Sequence, residues 1–173
     1  MTITVSEYLL ARLKSLGVDH VFGIPGDFIL PFFQAMDVSE VTHIAACNEL
    51  NAGYAADGYA RLRGLGAAAV TYGPGSFSIV NAVAGAYAES VPLVVISGGP
   101  SCEAYKTQPI LHHTLPGKYS ASLKIFAQIT ACAMLLDEPE QATAKIDEAL
   151  RICLSQNKPV FLAANMDGER AND

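Results

Sequence analysis

The sequence reads as a doubly wound α/β protein, a mostly parallel six-stranded sheet with helices on both faces. Three observations lead there. Short, uninterrupted apolar stretches recur along the chain, helical stretches separate them, and Gly, Pro, Asp and Asn gather where the apolar stretches end. A strand that is apolar on both faces has to be covered on both, and a parallel sheet between two helix layers does this.

Thr4 and Glu7 have the spacing of a capping box. Val5, Tyr8, Leu9, Leu13 and Leu16 follow at helical intervals up to Gly17, which predicts the first helix. Residues 18–24 form the first strand, and the turn Pro25-Gly26-Asp27 opens a second helix through Phe28, Phe32 and Phe33. Residues 43–47 are strand-like. From Asn48 or Glu49 a small-residue helix, LNAGYAADGYARLR, runs to Gly64, its alanines and glycines allowing close packing on a sheet. A strand at 67–72, the turn Gly73-Pro74-Gly75-Ser76, a helix at 77–89 and a strand at 93–97 continue the alternation. Residues 98–117 read as irregular; a helix around 119–128, a strand at 131–136, an amphipathic helix at 139–154 and a last strand at 159–164 complete it.

With 51% hydrophobic and 16% charged residues, burial can offset chain entropy, so disorder is excluded. The 173 residues show no composition break, repeat or linker and are assigned to a single domain. A net charge of −6 with no basic stripe argues against nucleic acid as a partner. Cys47, Cys102, Cys132 and Cys153 form no CxxC pair, which fits reduced thiols and not a zinc site. The first residues lack signal-peptide features, and no apolar run approaches the ~18 residues of a membrane span. The expectation is a soluble, cytoplasmic protein with no membrane partner.

Doubly wound sheets bind ligands outside the carboxyl ends of their strands, which here carry Pro25-Gly26-Asp27, Asn48-Glu49, Thr71-Tyr72-Gly73 and Gly98-Gly99. Glu49 follows a strand where a helix begins; it is either an acid stabilising the helix N-terminus or a ligand-binding carboxylate. Gly73-Pro74-Gly75-Ser76 has backbone N–H groups for an anion, but without GK[ST] or GxGxxG spacing a tight turn describes it better. Asp27 alone is an ordinary turn aspartate. His112-His113 lies in a long irregular segment of the kind that often carries function, although a solvated pair is an equal reading.

Taken together, GIPGDF at 23–28, NELNAGYAADGYAR at 48–61, AGAYAE at 84–89 and ILHHT at 110–114 closely resemble the N-terminal, pyrimidine-binding domain of thiamine-diphosphate-dependent 2-oxo acid decarboxylases, particularly the pyruvate and indolepyruvate branch. The similarity spans nearly the whole chain. It implies that Glu49 hydrogen-bonds a ring nitrogen of the cofactor's aminopyrimidine and promotes its imino form. It implies that Asp27, His112 and His113 face the substrate and relay protons or orient the oxo acid, and that Pro25, Gly26 and Thr71 shape the pyrimidine pocket. Family members hold the diphosphate and Mg²⁺ through a second domain with a GDG motif, which these 173 residues lack; Asp167-Gly168 follows Met166. The resemblance therefore implies an α-type subunit of a split decarboxylase, inactive alone, whose partner chain carries the diphosphate and Mg²⁺ domain. A homodimer or hetero-oligomer is expected, the Ala/Gly-rich helix offering a smooth face. A truncated fragment of a longer decarboxylase, a non-catalytic assembly module and a flavodoxin-like nucleotide binder are the rival readings; the last is disfavoured by the missing phosphate loop.

Overall fold

A computed structural model describes residues 3–115 and 117–164. The segment Met166-Asp167-Gly168 and the polar end at 169–173 lie outside the described residues. Six parallel strands run in the order β2-β1-β3-β4-β6-β5. They are β1 (His20–Gly23), β2 (Thr42–Ala45), β3 (Gly66–Val70), β4 (Leu93–Gly98), β5 (Cys132–Leu136) and β6 (Val160–Ala164). The doubly wound α/β expectation is met.

Alternate residues of the central strands feed two cores, as the pleat requires. Ala67, Ala69, Val94, Ile96, Val160 and Leu162 face one layer, built from α1 (Val5–Ser15), α2 (Leu30–Asp37) and α8 (Pro139–Gln156). Ala68, Val70, Val95 and Phe161 face the other, built from α3 (Glu49–Arg63), α5 (Val80–Ala88) and α7 (Ala121–Phe126). There Phe126 stacks on Phe161 with ring centroids 3.9 Å apart. The capping box of α1 forms as expected, Glu7 N–H donating to Thr4 Oγ1 at 3.1 Å and Thr4 N–H to Glu7 Oε2 at 2.7 Å.

Four expectations need correction. The second helix does not start at the Pro25-Gly26-Asp27 turn: a 3₁₀ turn, Asp27–Ile29, intervenes before α2. The helix expected at 77–89 is two, α4 (Pro74–Ser78) and α5, joined at Ile79. Ser76 and Ser78 hydroxyls take the Gly73 and Pro74 carbonyls, a competition that bends helices, while Ile79 is buried against Gly53 of α3. The irregular stretch contains α6 (Cys102–Thr107), capped by Ser101 accepting from Ala104 N–H at 3.2 Å. Finally β2 is not covered on both faces; it is an edge strand with Thr42, Ile44 and Ala45 exposed.

The element that places Glu49 is α3. Asn48 Oδ1 accepts from Asn51 N–H at 3.0 Å to start it, and Gly64, with φ +87°, ends it. Its small residues let its backbone touch the sheet: a Cβ on Gly66 of β3 would lie 2.2 Å from the Ala56 carbonyl oxygen. Gly66→Ala should therefore destabilise the protein by ~1–3 kcal/mol, because two backbones would have to separate. Gly58→Ala, on the same helix but with nothing within 4 Å of its Cβ, should stabilise by up to ~1 kcal/mol. Urea unfolding midpoints of the two variants read both signs.

Candidate functional site

The site lies where the sheet reverses direction. The chain passes from β1 outward to β2 and returns across β1 to β3, so the loops leaving β1 and β3 diverge and open a crevice at their carboxyl ends. Pro25-Gly26-Asp27 follows β1, Glu49 is the first residue of α3 after β2, and Thr71 follows β3 directly.

Three of these turns close around Thr71. A Cβ on Gly26 would sit 2.7 Å from Thr71 Cβ and 2.9 Å from its Oγ1. On Gly75 it would sit 2.7 Å from Thr71 Cγ2 and 3.3 Å from Glu49 Oε1. Glycine is required at both positions by contact, not by dihedral angle. Thr71 Oγ1 is buried with no hydrogen-bond partner among the described residues. Leaving a hydroxyl in that state costs about 1–3 kcal/mol, so it is a site feature in want of a ligand atom. Glu49 is half-buried beside it, and no hydrogen bond or ion pair engages its carboxylate among the described residues. Its place in the first turn of α3 also suits the helix dipole, but the capping itself is done by Asn48.

Gly73-Pro74-Gly75-Ser76, expected as a tight turn before the helix, turns only at Gly73; Pro74, Gly75 and Ser76 already belong to α4. Gly73 has φ +66°, Pro74 is the first residue of α4, and Ser76 donates to Gly73 O at 2.9 Å. The backbone of the histidine segment takes up the space above it: a Cβ on Gly73 would lie 2.4 Å from the His113 carbonyl oxygen.

The structure brings Asp27 and the histidine pair together, as the resemblance implies, through a direct contact. His112 Nε2 lies 2.8 Å from Asp27 Oδ2 across 85 residues of sequence. The imidazole stacks on Phe28 (centroids 5.1 Å, planes 21° apart), and His113 packs against His112 at 4.8 Å. Asp27's own backbone N–H, and then His112, hold its carboxyl below the usual carboxylate range. Both partners are exposed, so the pair orients side chains more than it stabilises the fold. His113 sits at φ +64° within a turn closed by Thr114 N–H donating to Leu111 O at 3.2 Å. Beside it a cavity of about 530 Å³ is lined by Pro74, Phe77, Ser78, His113, Thr114 and Leu115. One turn joins the two halves: Gly26 presses on Thr71, and its neighbour Asp27 holds His112.

Sequence reading missed Gly75 as a wall of the site and Phe28 as the platform for His112. For Gly75 the only signal was a second glycine two residues after Gly73; for Phe28 it was adjacency to Asp27.

Comparison with known proteins identifies the family. Residues 3–121 match the family model described as thiamine pyrophosphate enzyme, N-terminal TPP binding domain. The chain is 44% identical over 165 residues to pyruvate decarboxylase 1 of Zea mays, covering 94% of this chain and 27% of the relative. It is likewise 44% identical over 165 residues to pyruvate decarboxylase 1 of Arabidopsis thaliana, and 42% identical over 163 residues to pyruvate decarboxylase 2 of Nicotiana tabacum, covering 94% and 92% of this chain and 27% and 26% of those proteins. The chain thus spans about a quarter of the length of these relatives. By its family match and by these identities, it belongs to the thiamine pyrophosphate enzymes as an N-terminal cofactor-binding domain.

Proposed function

We propose that this chain is the pyrimidine-binding, α-type part of a thiamine-diphosphate-dependent 2-oxo acid decarboxylase, a carboxy-lyase. The observation that carries the reading is the unsatisfied Thr71 hydroxyl, buried beside an unengaged Glu49 in a slot kept open by Gly26 and Gly75. A flat heterocycle with ring nitrogens and an amino group fits that set of donors and acceptors and that lack of Cβ atoms.

When bound, thiamine diphosphate supplies a carbon nucleophile for the keto group and an electron sink for the departing CO₂. Glu49 moves a proton between its carboxylate and a ring nitrogen, and Thr71 Oγ1 accepts or donates the next hydrogen bond. Pro25, Gly26 and Gly75 exclude water from the ring faces. Asp27, carrying its charge at neutral pH, keeps His112 oriented through Nε2, so that His112 and His113 hold or move protons on the oxo acid side. In this reading the diphosphate and Mg²⁺ are held by a second, GDG-bearing domain, carried on a partner chain. The active unit is a homodimer or hetero-oligomer, inactive without that partner, and its cysteines, which form no disulfide among the described residues, suit the cytoplasm. The greater length of the relatives favours a second arrangement, in which the same domain is one portion of a longer decarboxylase.

Titration calorimetry with thiamine diphosphate tests the site. Glu49→Gln should weaken binding about 10- to 100-fold, the value of a hydrogen bond to a charged group. Thr71→Val should separate two signs: weaker binding, but a higher urea midpoint, because an unsatisfied hydroxyl is removed without loss of volume. Undiminished binding in both variants overturns the reading.

In the complex with its partner, Glu49→Gln should lose nearly all turnover while the fold survives. His113→Ala and Asp27→Asn should slow product release more than exchange of the cofactor's acidic C2 proton, read by NMR.

Asp27 supplies a pH test. Its folded pKa is depressed, so its contribution is present above the unfolded value of 3.8 and is lost as pH falls through the lower folded value. In His112→Gln the ¹³C carboxyl titration of Asp27 should move up towards 3.8, retaining the part due to its own backbone N–H.

A further inference from the structure

The segment between α6 and α7 that presents His112 and His113 has little apolar anchorage of its own. Ile110 is 89% and Leu115 43% exposed, and both histidines face solvent. Something else must fix its position, because an exposed loop held by few buried contacts opens readily.

Two buried tyrosines grip it. Tyr119 is fully buried at the far end of the segment; its hydroxyl donates to the Pro109 carbonyl at the near end, so one side chain spans the loop. The Tyr119 main-chain carbonyl in turn accepts from the Tyr72 hydroxyl at 2.8 Å. Tyr72 follows Thr71 of the pyrimidine cradle and packs edge-on against Phe28 at 5.6 Å, the ring on which His112 stacks. Tyr105 backs Tyr119 edge-on at 5.7 Å. Burial pushes the Tyr72 hydroxyl up to about 12, so it remains a donor at every physiological pH. Phenylalanine at 72 and 119 would fill the same volume, but only a hydroxyl can hold a loop carbonyl in register.

We propose that Tyr72 and Tyr119 form a clasp that positions the His112–Asp27 pair against the Thr71–Glu49 cradle. They are positioning residues and touch neither substrate nor cofactor; their functional meaning rests on the decarboxylase reading. The clasp sets the distance between the cradle and the proton-handling pair through Phe28 on one side and Pro109 on the other.

The test is NMR on the whole chain with Tyr119→Phe and Tyr72→Phe, and with Tyr8→Phe as reference. Tyr8 Oη donates to Asp147 Oδ2 at 2.9 Å, a bond between α1 and α8 that shares no residue with the clasp. In the wild type the His112 ring protons should be displaced upfield by Phe28, and Asp27 should titrate below 3.8. In either tyrosine variant, with tertiary structure retained, both signatures should move towards the values of an unstructured peptide. In Tyr8→Phe both should stay. A folded Tyr119→Phe or Tyr72→Phe with both signatures unchanged overturns the clasp, and should Tyr119→Phe not fold, Tyr72→Phe decides alone. Titration of the wild type with thiamine diphosphate is read separately: absence of binding would remove the decarboxylase reading while leaving the clasp to be judged on its own signatures.

Discussion

The molecule is organised around the contact of three turns on a single threonine. Gly26 from the β1 loop and Gly75 from α4 each lie where one added carbon would collide with Thr71, and Glu49 reaches the same spot from α3. Such proximity tolerates no adjustment of a few tenths of an ångström, so the strands and helices that carry the turns have to be in register to that precision. The close packing of α3 on β3, backbone against backbone at Gly66, and of α5 on α3 at Gly53 provides it. Alanine and glycine serve here not as filler but as the means of bringing three loops to one point.

Much of this was legible before any coordinates. The alternation of apolar strands and helices carried the architecture, and α3 was bounded by Asn48 and Gly64 because caps are local chemistry. Glu49, Asp27, His112 and His113 stood out through family motifs more than through pattern. What escaped depended on distance in space. The Asp27–His112 bond links residues 85 apart, and no local rule pairs them. The burial of the unpaired Thr71 hydroxyl depends on neighbours such as Gly26 and Gly75 that come from separate turns. The break at Ile79 was hidden by an unbroken apolar periodicity, and α6 by being only six residues long.

Two kinds of ionisable chemistry share the crevice and are treated differently by the fold. Glu49 is half-buried in a slot with no partner among the described residues, whereas Asp27 and His112 are exposed and hydrogen-bonded to each other. A carboxylate shielded from water suits a fixed hydrogen bond to a bound ring; an exposed pair keeps contact with solvent and so can be reset by proton exchange with it. The Pro25-Gly26-Asp27 turn holds both, so a shift in the β1 loop would alter cradle and pair together.

The bare flank of β2 has a consequence of its own. Among the described residues no strand pairs with its outer side, its side chains include an exposed isoleucine, and the strand carries no lysine or proline to discourage a visitor. Such a border invites edge-to-edge annealing of one molecule with another. For a protein handled alone at high concentration, replacing Ile44 with lysine is therefore the natural first step against aggregation, on the side of the sheet away from β4, β6 and β5.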